Sequence, residues 1–187
     1  MKITKELEAE LIVVMNDYWD SYIRGDLETW ASYLPDNYWN IGTNEEEVWT
    51  SKQEIVDFTK KVLSQLVGMV QIKDRHYSFM PVVPYIMVHE FGNLYIKSDK
   101  GWTFYSKMRL SSLLHKTDAG WKILHQHGSY PDSRLESGEF FGFENLLKEN
   151  TTLRDAVKRR TIELELKSRE LEIEAAVERV RAQSLGM

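Results

Sequence analysis

The sequence predicts an α+β domain followed by one long helix. Three observations carry that reading. Apolar residues recur at three- and four-residue spacing through most of the chain as far as Leu66. From Val70 the pattern changes to aromatic and β-branched runs separated by turn residues. From Phe143 to Leu185 there is no Gly or Pro, and Glu, Lys, Arg and Leu dominate.

The elements follow in order. Leu7, Leu11, Met15, Tyr18, Trp19 and Tyr22 form one apolar helix face, and Gly25 suits the left-handed residue past its end. Asp26 can cap a short helix that turns Leu27, Trp30 and Leu34 one way before Pro35 stops it. Tyr38 to Ile41 reads as a short strand. Ser51-Lys52-Gln53-Glu54 is a capping box that opens a helix carrying Ile55, Phe58, Val62 and Leu66. Four strands then cover Val70–Met80, Tyr85–Ile96, Trp102–His115 and Trp121–Tyr130. Their separators are Pro81-Val82-Val83-Pro84, Asp99-Lys100-Gly101 and Asp118-Ala119-Gly120. Such turns predict an antiparallel meander, curved over the three N-terminal helices.

Composition excludes several function classes. A formal net charge of -5 argues against a nucleic-acid partner. The absence of cysteine removes disulfides, thiolate metal sites and a Cys nucleophile, and favours a cytoplasmic setting over a stapled secreted fold. The longest aliphatic run, Leu11 to Met15, is too short to span a bilayer, and no signal-peptide pattern precedes it.

Helix–helix–strand–helix followed by four long strands ending in W-x-I-x-H-x-H-x-S resembles the SnoaL-like, nuclear-transport-factor-2-like superfamily. The branch it is most similar to is the association domain of calcium/calmodulin-dependent kinase II. The residues that carry the resemblance are Arg24-Gly25-Asp26, Ile41-Gly42-Thr43, Leu113-Leu114-His115 through Asp118, and Trp121, Ile123, His125, His127 and Ser129. The match covers roughly residues 5 to 131. It implies a cone, in which a strongly bent sheet wraps around the helices and leaves a pocket at the wide end. Members of the superfamily include isomerases, cyclases, dehydratases and non-catalytic modules. The expected organisation is a cone domain over 1–131, a linker over 132–142 and a long helix over 143–187.

The candidate site centres on His125-Gln126-His127. Strict alternation places Trp121, Ile123, His125 and His127 on the inward face, and Lys122, Leu124 and Gln126 on the other. Two such histidines can ligate one ion but need a third ligand, for which His76, His89 and Glu90 are the candidates. The reading taken is two hydrogen-bonded imidazoles lining a pocket, with no metal and no cofactor. The resemblance implies the same, since the association domains carry this HxH beside their pocket.

Ketosteroid-isomerase relatives imply a carboxylate base at or beside Gly42, where this chain has Tyr38-Trp39-Asn40-Ile41-Gly42-Thr43. Glu45, Glu46 and Glu47 read as a solvated loop. Tyr18 falls where those relatives hold an oxyanion tyrosine, but its apolar helix face reads as core. The association domain's pocket arginines would fall on Ser112 and Gly128, while Arg109 faces away. The expected ligand-binding set is therefore a neutral, aromatic-lined one: Tyr22, Tyr38, Asn40, Phe104, Ser112, His125 and His127. No catalytic residue is assigned.

Residues 144 to 187 carry nine acidic and nine basic side chains, so the net negative charge lies upstream. Val157, Leu164 and Leu171 form one seven-residue stripe; Leu166, Ile173, Val180 and Met187 form a second. A helix of about 66 Å exceeds what a domain this size needs, which predicts self-association as a homodimer. The closing segment, Glu174 to Met187, resembles the connector that joins bacterial sensory regions to histidine-kinase or cyclase modules. The resulting expectation is a non-catalytic, small-ligand-sensing and dimerising domain of a bacterial signalling protein, with a downstream effector. The alternative is a small isomerase, cyclase or dehydratase using a pocket histidine. An oligomerisation module without a ligand is the third.

Overall fold

The computed structural model of the chain describes residues 2–132, 135, 138 and 143–185, with side chains as far as residue 175. It divides into two compact units, Met1–Pro131 and Asp132–Met187.

Helices and turns of the first unit form where local chemistry favours them. Helix α1 (Lys5–Arg24) starts at Thr4, whose Oγ1 accepts the Leu7 N–H at 3.2 Å. It stops at Gly25, in the left-handed region at φ 76. A side chain at Gly25 would also press on Val67 Cγ2 at 2.6 Å, so glycine is needed there twice over. Helix α2 (Leu27–Ser32) is capped by Asp26 and delivers Trp30 to the core. Helix α3 (Lys52–Leu66) starts at Ser51, whose hydroxyl accepts the Glu54 N–H at 3.3 Å. The reciprocal half of the box sits one residue earlier than expected, since Glu54 Oε2 takes the Thr50 N–H at 2.7 Å.

Six strands build one sheet: β1 (Trp39–Ile41), β2 (Val48–Trp49), β3 (Val70–Val82), β4 (Tyr85–Ser98), β5 (Gly101–Thr117) and β6 (Gly120–Ser129). Their order is β2-β1-β6-β5-β4-β3. Strands β3 to β6 are the expected antiparallel meander. Strand β1 departs from it, lying parallel to β6 with Asn40 opposite Gln126. Strand β2 has no counterpart in the sequence reading.

Register shifts interrupt the meander at Lys73/His76, Leu94/Tyr95 and Leu113/Leu114. Each leaves extra residues on one strand, which bends the sheet and increases its twist. The sheet thereby curls, unclosed, over the helices. The core between them holds Leu11, Met15, Tyr18, Trp30, Tyr38, Ile86, Leu114 and Ile123, all withdrawn from water. Each buried aliphatic side chain of this kind contributes about 1.5–3 kcal/mol.

The second unit contains α4 (Phe143–Leu185), 43 residues long. Its apolar side chains are exposed: Leu153 and Val157 at 65%, Leu164 at 55% and Leu171 at 58%. Leu166 and Ile173 of the second stripe are exposed as well. Val180 and Met187 lie outside the described side chains, and most of the expected 132–142 linker lies outside the described residues. Among the described residues, no helix is long and apolar enough to cross a membrane.

Candidate functional site

The bulge in β6 decides which side chains face the interior. Leu113 pairs with His125, whereas Leu114 pairs with Ile123, so Leu124 is the extra residue. Before it, Trp121 and Ile123 are buried; after it, Gln126 and Gly128 are buried. Parity is inverted across the bulge. The expected inward placement of His125 and His127 is therefore corrected. His125 lies on the outer face, its Nδ1–H directed to the Trp39 carbonyl at 3.1 Å and its ring 5.8 Å from the Trp39 ring. His127 is exposed, opposite Ser111 and Ile41 on the neighbouring strands. The HxH pair does not converge with His76, His89 or Glu90: among the described residues, no three His, Asp or Glu side chains are placed to hold a metal.

What faces inward instead is a polar network around Glu90. Alternation along β4 turns Ile86, Val88 and Glu90 inward, which buries the carboxyl group to 2% exposure. Trp19 Nε1 donates to Glu90 Oε2 at 2.6 Å, and Ser112 Oγ donates to Oε1 at 2.5 Å. Gln126 Nε2 donates to Ser112 Oγ at 2.8 Å, and Tyr18 OH donates to Gln126 Oε1 at 3.1 Å. Burial raises Glu90 above the ordinary carboxylate range, opposed by the donors Ser112, Trp19 and Gln126. Burial likewise pushes Tyr18 well above the usual phenol range, with the neighbouring Tyr38 adding to it.

Beside this network the helices and sheet enclose a cavity of about 240 Å³. Rings from Tyr18, Trp19, Tyr22, Trp30, Trp49 and Phe58 line it, together with aliphatic side chains such as Ile55, Ile72 and Leu110. Asn40, Thr59, Gln126 and Ser129 supply polar groups, and Thr43, Glu47 and Tyr130 also line it. Trp30 Nε1, buried near the Tyr18 hydroxyl, makes no hydrogen bond of full geometry among the described residues. Burial raises Tyr22 to about 12, with the charge of Glu47 and then Tyr130 adding to the effect.

The residues singled out from the sequence divide accordingly. Tyr22 and Asn40 line the cavity. Tyr38 is fully buried behind them, its hydroxyl accepting from Asn40 Nδ2 at 2.8 Å. Ser112 is buried within the Glu90 network. Phe104 is half-exposed, its ring 5.7 Å from Tyr95, and it is not part of the cavity wall. Tyr105 is the extra residue at the Leu94/Tyr95 shift, and it separates Phe104 from the inward-facing Met108 and Ser112 farther along β5. Sequence reasoning missed Gln126 through the bulge. It named Glu90 only as a third metal ligand, although the Ile86-Val88-Glu90 alternation carried the signal. It left Glu47 in a solvated loop, whereas the side chain folds back to line the cavity.

Comparisons with known proteins agree with this architecture. A domain of unknown function with a cystatin-like fold from Nostoc punctiforme superposes with a TM-score of 0.63 at 14% identity, covering 84% of this chain and 99% of that one. An NTF2-like protein of unknown function from Pseudomonas putida gives 0.60 at 11% identity, covering 71% and 92%. A provisionally assigned calcium/calmodulin dependent protein kinase II association domain from Xanthomonas campestris gives 0.52 at 15% identity, covering 66% and 87%. At these identities the likeness is one of fold. No curated protein matches the chain at a significant level. The model of the SnoaL-like domain matches residues 12–133, which takes in most of helix α1 and the whole bent sheet, and the chain belongs to that family.

Proposed function

We propose that the chain is a non-catalytic, small-ligand-sensing and dimerising module of a bacterial signalling protein, acting in the cytoplasm ahead of a histidine-kinase or cyclase effector. The observation that carries the sensing part is the cavity: aromatic and aliphatic side chains line it, and the lining Tyr18 and Gln126 are hydrogen-bonded to each other. Ligand sites are concave and mainly apolar, with a few polar groups fixing orientation. At about 240 Å³ the cavity falls below the usual range of about 300–1,000 Å³, which favours a small ligand. The dimerising part rests on the exposed apolar stripes of α4. A histidine-based isomerase, cyclase or dehydratase lacks its base, because His125 and His127 face outward.

Thermal-shift measurements with a broad set of small organic compounds test the sensing part. A ligand at 100 times its Kd contributes about 2.7 kcal/mol and raises Tm by several degrees. Gly128→Leu, which adds a side chain on the inward face beside Leu110 and Thr43 of the cavity lining, is expected to abolish the shift, and His127→Leu to leave it intact. No stabilising compound, or a shift lost in His127→Leu and kept in Gly128→Leu, overturns the reading.

A further inference from the structure

Four rings and one carboxylate are among the residues that line the cavity. Trp49 of β2 and Phe58 of α3 lie with ring centroids 4.8 Å apart. Tyr22 of α1 and Tyr130, just past β6, line the same space. Glu47, two residues before Trp49, is the only carboxylate lining the cavity among the described residues.

Glu47 is held in place by its own loop. Its Oε2 accepts the backbone N–H groups of Thr43 at 2.8 Å and Asn44 at 3.2 Å, and its Oε1 accepts Asn44 Nδ2 at 2.9 Å. Gly42 makes this geometry available: a side chain there would meet Glu47 Oε2 and would lie 2.6 Å from Glu47 Cβ. The backbone also closes the loop, with Gly42 N–H donating to the Glu47 carbonyl at 2.7 Å. A glycine, two backbone amides and one side-chain amide thus fix a single acid at the cavity wall.

The field of that acid reaches the rings around it. Glu47 contributes to the raised values of both Tyr22 and Tyr130, after burial in each case. Among the described residues, the one cationic side chain on the lining, Arg109, occupies an exposed position alternating with inward Met108 and Leu110. Negative potential beside aromatic faces repels anions and gives neutral molecules no advantage. Aromatic faces attract cations, and alkylated ammonium groups most of all, since these need no hydrogen-bond acceptors.

Resting on the ligand-binding reading above, we propose that this part of the cavity binds a small organic cation, an alkylated ammonium group seated among Tyr22, Trp49, Phe58 and Tyr130 with Glu47 as its counter-ion. The ligand class is set by charge and shape, and the cavity volume limits it to a few carbons beyond the ammonium head.

Choline and its uncharged carbon isostere, 3,3-dimethylbutan-1-ol, separate charge from shape. Titrated into the full chain and followed by tryptophan fluorescence and calorimetry, choline is expected to bind roughly tenfold or more tightly than the alcohol. Glu47→Gln keeps an acceptor for the loop amides and is expected to remove that preference while leaving the circular dichroism spectrum unchanged. Phe58→Leu, which removes one ring without touching the loop, is expected to weaken choline more than the alcohol. Equal affinity for the two probes, preference retained in Glu47→Gln, or no binding of choline overturns the cation assignment. If neutral compounds bind and are lost in Gly128→Leu while choline does not bind, the cation assignment fails and the cavity keeps its ligand-binding role. If no compound of any charge binds, both fail.

Discussion

Glu90 is the residue whose environment departs most from what its type prefers. A carboxyl group in a sheet interior, facing Trp19, Ser112 and Gln126, has traded water for three hydrogen-bonding neighbours. Because burial raises its proton affinity in the folded chain, the folded state binds the Glu90 proton more tightly than the unfolded chain does. The stability this site lends is full below the ordinary carboxylate range and is lost as pH rises through the raised value. Glu90→Gln removes the titration while nearly preserving size. Urea unfolding between about pH 4 and pH 8 should therefore show the variant gaining stability relative to the native chain as pH rises. Parallel profiles would show that the folded chain does not hold this proton.

At the scale of the element, β6 shows how one extra residue redirects a site. Its sequence alternates cleanly, and on that alternation alone His125 and His127 belong inside. Leu124 adds one residue against the Leu113/Leu114 step of β5, so everything after it faces the other way. The consequence is measurable as stability. Gln126→Leu leaves the Tyr18 hydroxyl without its acceptor and removes a donor to Ser112, at a cost of about 1–3 kcal/mol. His127→Leu, on the exposed face, should stay within about 0.5 kcal/mol of the native chain. Denaturant midpoints for the two variants check the ordering, and a larger loss at His127 would contradict the inverted parity. The histidine signal was legible in the sequence; its direction was not, because a bulge is a property of two strands together.

For the whole molecule, the open question is what covers the apolar side chains of α4. The first unit already holds the buried core, so it should fold when residues 132–187 are removed. Sedimentation of the intact chain at about tens of micromolar is expected to show a dimer, and the truncated chain a monomer. A dimer that survives truncation would move the contact to the sheet, where Trp39, Met80 and Phe91 are exposed. A monomer in both cases would end the dimerisation reading.

Much of the fold was readable along the chain because its causes are local. The period of Leu11, Met15 and Tyr18, the caps Asp26 and Ser51, and the turns at Gly101 and Gly120 each act within a few residues. The sequence by itself determined the three N-terminal helices, the four-stranded meander, the long terminal helix and the family resemblance. Tertiary structure decided the rest. The parallel pairing of Asn40 with Gln126 joins residues 86 positions apart. Glu47 reaches the cavity because Gly42 leaves it room and the Thr43 and Asn44 amides hold it. Gln126 and Glu90 meet through Ser112 because three strands lie side by side in one register. Period and composition report which faces are apolar, whereas register and loop closure depend on free energies shared between distant segments.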